Sequence, residues 1–184
     1  MAGAGLAEIA GMAGTNMPAG HEEADLQQLT DTLLNAAARE QQRWNEYHNR
    51  LATVSDLVRT SQYPQAFALA SQNGDSRISF PESILGVLRE AGTISLRRLA
   101  DGSVALDNCG YAGMMTHELH ESSMMPSRIA SFSLALNAAV SGKPDKYLEA
   151  YTTAQDLGLP QHIVEGAQRL YIEKCRPDIA GHKM

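Results

Sequence analysis

Aromatic residues are scarce in this 184-residue chain, which has three phenylalanines, six tyrosines and one tryptophan. That shortage disfavours a surface that grips single-stranded nucleic acid by stacking bases on rings. Cysteine is scarcer still. Cys109 and Cys175 allow one bridge at most, too few for a secreted disulfide scaffold, so a reducing cytoplasm is the expected compartment. Basic charge is in deficit: 15 Lys and Arg against 21 Asp and Glu leave a formal charge of −6. An acidic chain is not drawn to polyphosphate as a whole, so nucleic acid is an unexpected partner. No apolar run reaches the roughly 18–20 residues that cross a bilayer, so no membrane span is expected. Catalytic signatures are missing as well: neither a Gly-x-Ser-x-Gly elbow nor a phosphate-cradling Gly-x-x-x-x-Gly-Lys is present. The expectation is a protein without enzymatic activity and without a cofactor.

Residues 1–20 are mostly Ala, Gly and Met, with glycine at positions 3, 5, 11, 14 and 20. Glycine at that density works against stable helix. The stretch also lacks the basic start and continuous apolar centre of a secretory signal. A flexible tail is the expectation over 1–20. Secretion by a route that needs no signal peptide stays open as the other reading.

What the chain does have is a long apolar stripe. Leu26, Leu29, Leu33, Ala37, Trp44, Tyr47, Leu51, Val54 and Val58 follow at three- and four-residue steps, broken once at Glu40. No proline or glycine interrupts Leu26 to Val58, and the spacing predicts a helix over about 22–61, longer than most globular helices. His21-Glu22-Glu23-Ala24-Asp25 puts carboxylates at its positive end. Such a helix, near 50 Å long at about 1.5 Å per residue, outruns companions of about 15 residues. Its stripe is therefore expected to be in surplus, with Leu26, Leu29, Leu33, Ala37, Trp44, Tyr47 and Leu51 free to bind a partner or a second copy.

Tyr63-Pro64 then predicts a shorter helix ending near Asn73-Gly74. Ser79-Phe80-Pro81-Glu82 reads as a capping box, and the helix it opens is expected to stop at Gly92. Asp101-Gly102 between Thr93-Ile94-Ser95-Leu96 and Ser103-Val104-Ala105-Leu106 predicts a small β-hairpin at about 93–107. From Met125 onward, Pro126, Pro144 and Pro160 mark the first turns of three helices, about 126–141, 144–157 and 160–175. The fold class is thus mainly α: tail 1–20, then one domain over 21–184, with a helix–hairpin segment 62–110 and a C-terminal bundle 111–175. Its expected core is Leu57, Phe67, Leu85, Leu88, Leu134, Leu136, Leu148, Ile163, Leu170 and Tyr171.

One pattern occurs twice. Tyr63-x-x-Ala66-Phe67-x-x-Ala70-x-x-x-Gly74 matches Tyr147-x-x-Ala150-Tyr151-x-x-Ala154-x-x-x-Gly158, and small residues on one face let another helix approach closely. Two copies alone read as a recurring packing solution.

Two constellations bear on chemistry. His117, His120 and Glu121 share a helical face beside Met114-Met115 and Met124-Met125, donors that suit zinc, iron or copper(I). The spacing matches neither the metalloprotease His pair nor a Glu-x-x-His pair, and a solvated polar face is the plainer reading. The second is the helix ending at Gly92 with its Asp-Gly hairpin, which resembles the last helix and wing of a winged-helix domain. Arg77, Arg89, Arg97 and Arg98 cluster there against Glu82 and Glu90, so Arg89, Arg97 and Arg98 are candidate phosphate contacts. The leading expectation is a non-enzymatic interaction or assembly protein. Nucleic-acid binding and metal binding are its rivals.

Overall fold

The computed structural model describes the backbone over residues 19–72, 78–101 and 109–175, and side chains over 23–72, 78–92 and 115–175. Of the tail expected over 1–20, only Ala19 and Gly20 fall inside, as the first residues of a helix. Six helices form among the described residues: α1 Ala19–Arg59, α2 Tyr63–Ala70, α3 Glu82–Asp101, α4 Cys109–Val140, α5 Asp145–Asp156 and α6 Gln161–Cys175. The mainly helical expectation holds.

α1 and α4 are the spine, about 60 and 48 Å long at 1.5 Å per residue. They run antiparallel and bury two separate cores. The first half of α1 contributes Leu33, Ala36 and Ala37 to a core with Ile129, Phe132, Leu136 and Ala139 from the last half of α4. Its second half contributes Tyr47, Leu51, Val54 and Val58 to another, with Met115 from the opposite end of α4. α5 and α6 close the first core through Tyr147, Ala150, Ala154, Ile163 and Leu170. α2 and α3 close the second through Tyr63, Ala66, Ala70, Ile84, Leu88 and Ala91. Trp44 packs against both. Fully buried side chains of this size each stabilise the fold by about 1.5–3 kcal/mol.

Turn chemistry fixes where the spine ends. Gly142, at φ 102°, follows α4 and its N–H donates to the Ala139 carbonyl, while Lys143 N–H donates to Ala138. Gly158, at φ 58°, ends α5 with the same pair of bonds, to Gln155 and from Leu159 to Ala154. These are left-handed helix caps of the kind glycine adopts without strain.

Four expectations need correction. No strand forms among the described residues: Thr93-Ile94-Ser95-Leu96, the first arm of the expected hairpin, is helix within α3. The second arm, Ser103 to Leu106, lies outside the described residues. Gly92 does not stop the helix either. It is buried, and a Cβ there would come within 3.8–4.0 Å of the Tyr63–Pro64 backbone, so glycine lets α3 lie close to the start of α2. That contact, with the burial of Leu85 and Leu88, outweighs glycine's helix cost of about 1 kcal/mol.

Third, α4 begins at Cys109, so Pro126 sits inside a 32-residue helix and not in its first turn. Fourth, two residues expected in the core face water: Leu134 is 69% exposed and Leu148 44%. Ile129, Phe132, Leu136 and Ala139 set the inward face of α4, and a residue two places along points about 200° away. Leu88, Leu136, Ile163 and Leu170 are buried as expected, with Leu57, Phe67, Leu85 and Tyr171 partly so.

Candidate functional site

The candidate partner surface on α1 is turned inward. Leu33 is 2% exposed, Tyr47 2%, and Ala37 and Leu51 0%, all within the two cores. Leu26, Leu29 and Trp44 are half-buried and pack against the same cores. The expected surplus is therefore absent, for a physical reason: besides the shorter helices, the 32-residue α4 lies along the 41-residue α1. An antiparallel helix starting at Cys109 reaches far enough to sheath the stripe.

About two turns past the point where the stripe breaks, at Tyr47 and His48, the two spine helices exchange polar contacts. Glu40 is 6% exposed and pairs with Arg43 one turn on. The Tyr47 hydroxyl donates to Glu118 Oε1 at 2.7 Å. His48 Nδ1 lies 2.9 Å from Ser122 Oγ, and Ser122 donates its one hydrogen to the Leu119 carbonyl at 3.1 Å, so it accepts from the imidazole N–H. Burial, then the neighbouring Glu118 carboxylate, pushes the Tyr47 phenol well above its ordinary range, and Arg50 opposes the shift. Four residues past Ser122, Pro126 has no N–H to return to the Ser122 carbonyl. Periodicity carries no sign of this seam, because its pairs lie 71 and 74 residues apart.

Serine, histidine and glutamate together are the ingredients of a nucleophilic triad. Their arrangement is not one. Ser122 is 0% exposed, and Glu118 is held by Tyr47 rather than by His48. A nucleophile must meet its substrate, and this hydroxyl meets only its own helix and α1. The seam fastens α1 to α4 and fixes their register.

Elsewhere on α1, an open groove of about 470 Å³ runs along the solvent face past Thr32, Asn35, Ala38, Arg39 and Gln42. Those five residues offer one cation and several neutral hydrogen-bonding groups, with no carboxylate or imidazole for proton transfer.

The metal candidates do not converge. His117 and His120 are exposed on α4, and Glu121 faces Arg128 at 3.3 Å. Among the described residues no three His, Cys, Asp or Glu side chains gather as a metal site. The Cys109 side chain lies outside the described residues.

The winged-helix likeness loses its wing, since Arg97 and Arg98 sit on α3; their side chains lie outside the described residues. Arg89 lies over the Phe67 ring at 5.4 Å and 3.7 Å from Glu82. Residues 77–108 also hold Asp101 and Asp107, so four arginines meet four carboxylates and the segment is electrically balanced.

One surface stands apart from the rest. The large hydrophobic residues most exposed among the described ones are Leu134 at 69%, Leu148 at 44%, and Met124 and Val140 at 41%, all on α4 and α5. From Ile129 to Gly142 the chain has no charged residue. Around Leu134 on the outer side of α4 stand Ser127, Ala130, Ser131, Ala138 and Ser141, at one- and two-turn steps. No helix is long and apolar enough to cross a membrane among the described residues. No family model, curated protein or solved structure matches the chain.

Proposed function

We propose that the protein is a non-enzymatic assembly protein that self-associates through the outer face of α4, centred on Leu134. The observation that supports this reading is the exposed, uncharged last three turns of that helix. A helix apolar on its inner side and uncharged on its outer side is the pattern of one covered from both directions. Scattered single leucines on a surface need no explanation. Here the four exposed apolar residues fall on one helical hairpin, and two of them, Leu134 and Val140, lie in three turns that carry no charge.

The choice of a second copy over an unrelated partner rests on shape and charge. Leu134 protrudes between small residues, and a two-fold contact would place each protruding leucine against the other copy's alanines and serines. Such isologous contacts are self-complementary by construction. Without charge on the face, two copies meet there without local repulsion, although each has a formal charge of −6.

Sedimentation velocity over a concentration series tests the reading. The wild-type chain is expected to associate reversibly, and Leu134→Glu with Leu148→Glu to remain monomeric while keeping its helical circular dichroism. A wild-type chain that stays monomeric throughout the series would overturn it. An association that survives both substitutions would move the contact elsewhere.

A further inference from the structure

We infer that the chain is a tandem duplication of one three-helix unit, with α1–α2–α3 and α4–α5–α6 related by an approximate two-fold axis through the crossing of α1 and α4.

The spine helices show the equivalence first. Leu51, Val54 and Val58 on α1 and Phe132, Ala135 and Ala139 on α4, 81 residues later, are all buried at the same distance from the helix end. Each spine helix then stops in the same way. Ser61 N–H donates to the Val58 carbonyl and Gln62 N–H to Leu57; Gly142 donates to Ala139 and Lys143 to Ala138. Ser61 adopts φ 61°, a left-handed conformation that is uncommon for serine, at the place where α4 has Gly142.

The short helices continue the match. Tyr63, Ala66 and Ala70 are the buried residues of α2, and Tyr147, Ala150 and Ala154, 84 residues later, are those of α5. In the third helices the offset is 79. Phe80-Pro81 and Leu159-Pro160 lead in, with Phe80 and Leu159 both buried. The Pro81 carbonyl accepts from Ile84 and Leu85, and the Pro160 carbonyl from Ile163 and Val164. Ile84, Leu88 and Ala91 are buried on α3, as are Ile163, Ala167 and Leu170 on α6. The offset changes only in the connections, where length varies freely.

The contacts between the units obey the same symmetry. The first half of α1 packs on the last half of α4, and the first half of α4 on the last half of α1. α6 reaches across to α1, and α3 to α4. Separate helical hairpins ending in similar caps would have no reason to share the burial pattern of three successive elements in order. What the two copies do not share is their outer surface: Leu134 and Val140 on α4 stand where α1 has Thr53 and Arg59.

Matched substitutions in the full chain provide the test. Ala66→Ser and Ala150→Ser add one oxygen at equivalent sites, 0% and 1% exposed. They are expected to lower Tm by amounts that agree within about twofold, the scatter context allows. The same agreement is expected for Ile84→Val and Ile163→Val. A chimera carrying residues 147–154 in place of 63–70 should retain cooperative unfolding, while the same graft shifted by two positions should lose it. Unequal effects in both pairs, or an in-register graft no better than the shifted one, would overturn the inference.

Discussion

The last three turns of α1 and the last three turns of α4 occupy corresponding places in the fold. Each lays a buried face on the other spine helix and ends in a left-handed turn before a short helix. Outside its apolar positions, however, α1 carries Arg50, Asp56 and Arg59 across His48–Arg59, whereas Ile129–Val140 of α4 has no charged group. Arg50 is put to structural use. Its guanidinium donates to the Gln72 and Ile78 carbonyls at 2.6 and 3.2 Å and lies over the Phe80 ring at 5.2 Å. The comparison teaches that the inner faces are dictated by packing and leave little freedom. The outer faces are free to differ, and there the difference is informative.

If the two cores are built alike, emptying either should cost alike. Phe132→Ala and Leu51→Ala, both at wholly buried positions, are expected to destabilise the chain by about 3–5 and about 2–5 kcal/mol in urea unfolding. A loss below about 1 kcal/mol at one of them would mean that its core is not packed as described.

Glycines sharpen the comparison next. On α6, a Cβ at Gly166 would fall 2.6 Å from the buried Leu33 Cδ2, whereas on α3 one at Gly86 would meet nothing within 4 Å. Gly166→Ala should therefore destabilise by about 1–3 kcal/mol through overpacking. Gly86→Ala should stabilise by about 0.5–1 kcal/mol through helix propensity. Thermal melts of the two variants should move in opposite directions.

The seam responds to alkali. Because burial and Glu118 raise the Tyr47 phenol in the folded chain, its contribution is fully present below the unfolded value of about 10. It is lost as pH climbs above that value, where only the unfolded phenol ionises. Tyr47→Phe should flatten this alkaline loss, and an unchanged pH profile would remove the hydrogen bond from the account.

The smallest expected effect is at the turns. Ser61→Gly should stabilise by about 1 kcal/mol or less by relieving a left-handed serine, and Gly142→Ser should do the reverse.

Much of the architecture was legible in periodicity. The α1 stripe and the Pro-initiated α5 and α6 depend on neighbours within two turns, and these emerged with near-correct bounds. What failed depended on distant partners. Asp101-Gly102 is a strong local turn signal, yet a two-stranded hairpin is marginal without a third strand or a helix beneath it. The segment before it lies in α3, which packs on α2. Pro126 looked like a helix start because the seam that accommodates it, Ser122 against His48, joins residues 74 apart. The surplus stripe failed for the same cause, since extending α4 back to Cys109 supplied the missing cover. The outer face of α4 was within reach: Leu134 stands two places from both Phe132 and Leu136, which no single helical face can accommodate.

Dipolar distance measurement on singly spin-labelled chains tests most directly whether α4, and not α1, presents the contact surface. In a background with Cys109→Ser and Cys175→Ser, a label on Ser131→Cys should couple strongly to the same label on a second molecule. A label at the corresponding α1 position, Thr53→Cys, should show no intermolecular coupling. Coupling at Thr53 alone, or at neither position, would contradict the account.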